Sequence, residues 1–203
     1  MRIGIRPEGF EAAKRQLESL GRKIDPVLRG ALDTTASAAR KTHYTPKIAP
    51  MFKSRGWVNK RIIIKRVNAR KGRFDARLIP SSAGVYVTEY RRWGYQPINA
   101  TRARILVGSF KGNKVAAGFV NPSSFGRQPW ATRSSVTRNV SKRGGKFTYK
   151  YGAGPGGLMP AMGPSVAWFF QRLTSVTTVR AINRRLEQEF QRRLRRELLK
   201  PAL

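Results

Sequence analysis

TRARILVGSFKGNKVAAGFVNP, residues 101–122, decides the fold class. Two apolar, β-branched runs are separated by Gly112 and Asn113, and that dipeptide predicts a hairpin turn between two strands. The same short period begins at Phe74: FDARLIP (74–80) and AGVYVTEY (83–90) read as strands, and so does KFTYKYG (146–152) from its alternating aromatics and lysines.

Outward from this block the period becomes helical. On the N-terminal side Phe10, Ala13, Leu17 and Leu20 mark a first helix closed by Gly21. Asp25 and Pro26 read as the N-cap and first residue of a second, running to about Thr42 with Leu28, Ala31, Leu32, Thr35 and Ala39 on one face and ended by Thr45 and Pro46. The small residues of DTTASAAR (33–40) leave room for another backbone to approach. On the C-terminal side a third helix is expected from about Ser165, with Val166, Phe169, Phe170 and Leu173 inward. AINRRLEQEFQRRLRRELLK (181–200) repeats Ile182, Leu186, Phe190, Leu194 and Leu198 every four residues, an amphipathic helix with Arg184, Arg185, Arg192, Arg195 and Arg196 opposite the stripe. Its Glu189 is placed to pair with Arg185 and Arg193, and Arg193 with Glu197, at i,i+4.

Two stretches are less decided. WVNKRIIIKRV (57–67) fits a short helix or a strand, and NPSSFGRQPWATRSSVTRNVSKRGGK (121–146) has the punctuation of a long exposed loop. The order helix, helix, strands, helix, helix lacks βαβ alternation, so the expected class is α+β: an N-terminal helix pair, a central, mainly antiparallel sheet with long basic loops, and C-terminal helices. The expected organisation is a single domain over 1–203 with an extended basic loop or arm at 122–157.

The chain has 203 residues, enough to bury roughly 70% of its unfolded surface. Its 42 Lys and Arg against 10 Asp and Glu leave a net charge of +32. Self-repulsion of that size disfavours a compact state unless polyanions, acidic partners or counterions offset it. The absence of cysteine excludes disulfides, thiolate metal sites and thiol redox chemistry. The opening MRIGIRPEGFEAAKR lacks the apolar core of a secretion signal, and LMPAMGPSVAWFF (158–170) is too short and too interrupted to span a bilayer, so no membrane partner is expected.

Candidate catalytic chemistry is sparse. His43 is the sole histidine and reads as structural; between Glu89 and Glu187 there is no acid at all. A two-metal nuclease needs several convergent carboxylates, and only Asp75 and Glu89, on neighbouring expected strands, could meet; pairing with nearby arginines is the simpler reading. Gly152, Gly154 and Gly157 spell GxGxxG, but Pro155, Pro160 and Pro164 delay the helix, and no ribose-binding acid follows. No catalytic residue, cofactor or metal is expected. What remains is basic charge in NKRIIIKRVNARKGR (59–73), YRRW (90–93), TRAR (101–104), the 121–146 segment and the last helix, near Trp57, Trp93, Tyr95 and Trp130. That distribution suits phosphate-backbone binding without sequence readout. The residues expected to contact nucleic acid or an acidic partner are Lys60, Arg61, Lys65, Arg66, Arg138, Lys142, Arg143, Lys146, Arg184, Arg185, Arg192, Arg195 and Arg196.

Three stretches together resemble the minor tail protein Z, or tail completion, family of lambda-like phages and prophages, and more broadly head-to-tail joining proteins. They are the helix pair GFEAAKRQLESLGRKIDPVLRGALDTTASAARK, the basic hairpin ARILVGSFKGNKVAAGFVNP, and MGPSVAWFFQRL followed by LEQEFQRRLRREL. The resemblance implies a non-enzymatic virion component at the upper tail or neck. It would work as a homo-oligomeric ring, a hexamer in the first instance, against tail terminator, tail tube or neck proteins and double-stranded phage DNA. A free, sequence-nonspecific nucleic-acid-binding protein is the alternative.

Overall fold

The computed structural model describes residues 2–3, 10–19, 21, 23–68, 75–99, 102–116, 130–132, 138–142, 145–149 and 158–200. The class is α+β, with a helix pair near the N-terminus, helices at the C-terminal end and antiparallel pairing between the strands. Among the described residues the antiparallel strands are distributed over five small sheets of two or three strands each. By internal packing the chain divides into two compact units: Met1–Ala49, Ser54–Ser82 and Val166–Leu203 form the first, Pro50–Lys53 and Ala83–Ser165 the second.

The first unit is built on helices. Strand β1 (Arg2–Ile3) precedes α1 (Phe10–Ser19), and Gly21 follows that helix at φ 68°, a left-handed turn that suits glycine. Helix α2 (Asp25–Ala39) begins one residue earlier than expected: Asp25 lies inside the first turn, where its charge complements the helix dipole, and Ile24 precedes it without a side-chain cap. Nor do Thr45 and Pro46 end the helical path. A π-helical turn over Arg40–Tyr44 widens the ladder, the Thr45 N–H reaching back to the Arg40 carbonyl, so that Pro46 enters the first turn of α3 (Thr45–Ile48), where its missing N–H costs nothing.

The ambiguous 57–67 segment contains both elements. Ser54 accepts a hydrogen bond from the Trp57 N–H and starts α4 (Arg55–Lys60); the three isoleucines then form β2 (Ile62–Lys65), paired antiparallel with β3 (Ala76–Pro80) in the order β1-β3-β2. At the other end of the chain, α5 (Val166–Leu173) leads through Ser175, which accepts from the Thr178 N–H as N-cap, into α6 (Val176–Leu198). One core cluster gathers Ala13 and Leu17 of α1, Ile24, Val27, Ala31, Leu32 and Ala36 at α2, and Leu186, Phe190 and Leu194 of α6, with Val67 and Ala76. Tyr44 stacks on Phe170 with ring centroids 3.8 Å apart, and its hydroxyl meets Thr174 Oγ1.

The second unit holds the remaining strands. AGVYVTEY yields only the two residues of β4 (Val85–Tyr86) before a 3₁₀ turn over Val87–Glu89. Strands β5 (Trp93–Asn99), β6 (Arg102–Ser109) and β7 (Gly112–Ala116) form a meander; Ser109 pairs with Gly112, so the hairpin loop is Phe110-Lys111 and Gly112, at φ 90°, opens β7 rather than forming the turn with Asn113. The unexpected β5 carries Pro97, tolerated because β5 is an edge strand that bulges between Pro97 and Asn99. The supposed loop at 121–146 contains β8 (Trp130–Thr132) and β9 (Arg138–Lys142), the latter paired antiparallel with β10 (Gly145–Tyr149). Strand β11 (Leu158–Pro160) returns to β8, and β12 (Met162–Gly163) to β4. Buried Tyr90 anchors this return. Its hydroxyl donates to the Pro164 carbonyl, and a Cβ at Gly163 would meet the ring at 2.9 Å.

Candidate nucleic-acid interface

Helix α6 has two faces with different tasks. Ile182, Leu186, Phe190 and Leu194 are buried, so its apolar stripe is consumed inside the first unit. On the other side Arg184, Arg185, Arg192, Arg195 and Arg196 are all exposed, as expected. The stripe and the charges each advance by four residues, so they wind round the helix together, and a continuous outer row results: Arg180, Arg184, Gln188, Arg192, Arg196 and Lys200, every one exposed. Each step rises about 6 Å and turns about 40°, so the row runs about 30 Å along the axis while winding round the helix. Arg180 was not among the expected contact residues; continuing the four-residue register back from Arg184 finds it.

Glu189 divides the arginines beside it. It accepts Arg192 Nε and Nη2 at 3.0 and 2.7 Å and Arg193 Nε at 2.8 Å, in place of the expected Arg185. The hydrogen bonds from Arg192, then those from Arg193, hold its carboxyl below the usual carboxylate range against the opposing effect of partial burial. Arg193 is not an interface residue. Its Nη2 reaches Thr34 Oγ1 at 2.9 Å, and its guanidinium lies over Gly30, where a Cβ would stand 2.8 Å from Cζ. Arg193 thus ties α6 to α2. Glu197 pairs with Lys200 at 2.7 Å.

The basic group at 60–66 is also in the first unit. Lys60 is exposed at the end of α4, and Lys65 and Arg66 are exposed at and beyond the end of β2. Arg61 is half-buried with its guanidinium 4.0 Å from the centre of the Trp57 ring, and Arg172 stands 3.4 Å over Trp168 in the same Trp-to-Arg spacing of four. Those two stacks were readable as i,i+4 pairs in the sequence. Arg138 and Lys142 open and close β9, and Lys146 of β10 stands opposite Ser141 of β9; Arg143 and the GxGxxG glycines lie outside the described residues.

Asp75 pairs with Arg77, and Glu89 sits in the second unit's 3₁₀ turn, not on a strand. Among the described residues no three of His, Asp and Glu gather as a metal site, and no helix is long and apolar enough to cross a membrane. The arrangement can hold an extended anion by many weak contacts. Comparison with protein families, with characterised proteins and with solved structures finds no match to the chain.

Proposed function

We propose that the chain is a non-enzymatic structural component of a tailed-phage particle. It would act in tail completion or head-to-tail joining, at the head-proximal end of the tail, as a homo-oligomeric ring whose basic surface meets the genome end and acidic neighbouring tail or neck proteins. The observation that carries this reading is α6, which buries Ile182, Leu186, Phe190 and Leu194 while its outer side presents a row of arginines. The resemblance of the helix pair, the basic hairpin and the terminal helices to tail-completion proteins supports it as well. A ring about 40 Å tall would enclose only about 24 duplex phosphates. Six copies of a chain at +32 exceed that several-fold, so the reading assigns part of the charge to DNA and part to acidic protein neighbours.

The alternative, a free sequence-nonspecific nucleic-acid binder, draws on the net charge alone. Quantitative mass spectrometry of purified particles separates the two. The tail reading expects the chain in particles at a fixed ring stoichiometry; a chain absent from particles and recovered on bulk cellular nucleic acid would overturn it.

A further inference from the structure

The outer side of α6 differs from a protein-docking surface in what it lacks. Protein interfaces have a charge-depleted centre with apolar or aromatic anchors. Here the exposed large apolar residues, Val176 and Leu199, stand at the two ends of the helix, and the outer row between them holds only Arg and Gln. A membrane surface is disfavoured too, because an interfacial helix needs its apolar face free and this one is buried. Stacking on unpaired bases is poorly served by Trp57 and Trp168, each of which carries a guanidinium over its ring. Interfaces with duplex DNA, by contrast, are polar, strongly positive and rich in arginine forks that fit phosphate oxygens.

We infer that the row Arg180, Arg184, Gln188, Arg192 and Arg196 seats the sugar-phosphate backbone of duplex DNA without reading its sequence, an assignment that rests on the polyanion contact in the proposed function and narrows it to one surface and one partner. Arg180, Arg184 and Arg196 have no ion-pair partner among the described residues and carry the contact. Arg192 is shared with Glu189 and contributes less. Gln188, at the centre, spaces the two arginine pairs.

The test is fluorescence anisotropy on the full chain with two labelled duplexes of unrelated sequence, titrated across a range of salt. R180Q/R184Q/R196Q is compared with R15Q/K23Q/K47Q, which removes the same charge from exposed positions outside α6. Both duplexes should bind alike, and the row variant should lose about three units of the slope of log K against log salt, about one per arginine in the single variants. The control should lose clearly less. Equal losses in the two variants would reduce the effect to bulk charge, and an unchanged slope would show the row idle; either result overturns the assignment. So would a row-specific loss of poly-glutamate binding matching the loss for duplex, which would mark an acidic-protein surface instead. Particles that contain the chain while the row is idle would sink this inference alone; a working row in a chain missing from particles would sink only the tail reading.

Discussion

Gly30 and Arg193 form a lock whose parts have opposing energetics. Glycine inside a helix costs about 1 kcal/mol relative to alanine, yet at position 30 it leaves the space that the Arg193 guanidinium occupies on its way to Thr34 and Glu189. Gly30→Ala should therefore change stability little, because the gain in helix propensity is offset by ejecting Arg193, the far end of a flexible side chain. In an Arg193→Gln background the same substitution should stabilise by about 1 kcal/mol. Denaturant midpoints of the four proteins in that cycle measure it, and additive effects would show that the lock has no energetic content. Glu189 supplies a second handle. Its pKa is depressed, so the stability it contributes is present above the ordinary carboxylate value of 4.5 and is lost as pH falls through the folded-state value. Glu189→Gln should cost about 1 kcal/mol at neutral pH, modest because Arg192 remains well hydrated, and should flatten the acid limb of the stability curve. An acid limb as steep as the parent's would exclude Glu189 as its source.

At the scale of elements, α6 separates anchoring from contact, and the two should be separable by mutation. Phe190 is fully buried at the centre of the stripe, so Phe190→Ala should cost about 3–5 kcal/mol while leaving every charge in place. Single substitutions in the outer row should stay within about 0.5 kcal/mol of the parent. Thermal melting compares them, and a row variant as damaging as Phe190→Ala would mean that the arginines pack rather than face solvent. The sequence made this helix legible because its stripe repeats without interruption over about four and a half turns. Elsewhere local signals competed. Pro46 looked like a terminator because the π turn that admits it has no sequence signature, and WVNKRIIIKRV resisted a single assignment because it holds a helix and a strand separated by one residue. Strand β5 was hidden by Pro97, which only an edge position excuses, and β9 by the polar composition of a short strand, whereas β10 was legible from its alternating aromatics. The arginines of the candidate surface were legible as charge. Which of them are internal was not: Arg193 differs from Arg192 only in facing Gly30 and Thr34, a relation between residues about 160 positions apart.

For the whole molecule, a net charge of +32 means that every exposed arginine is placed against the field of the others. The α6 row adds a local cost, since Arg180–Arg184 and Arg192–Arg196 are like-charge pairs at i,i+4, each destabilising a helix by about 0.2–0.5 kcal/mol. Removing Arg180, Arg184 and Arg196 should consequently raise the melting temperature at low ionic strength, and added salt, which screens the repulsion, should shrink that advantage. Saturating duplex DNA should reverse the order, because a ligand that binds only the folded state stabilises according to its affinity, and the parent then has the higher affinity. Differential scanning calorimetry of parent and R180Q/R184Q/R196Q, each at low salt, at physiological salt and with duplex, tests the whole sequence of signs. A parent that melts higher in every condition would show that the row stabilises the fold by contacts of its own. A variant that melts higher in every condition would leave the row a pure liability, with no polyanion to account for it.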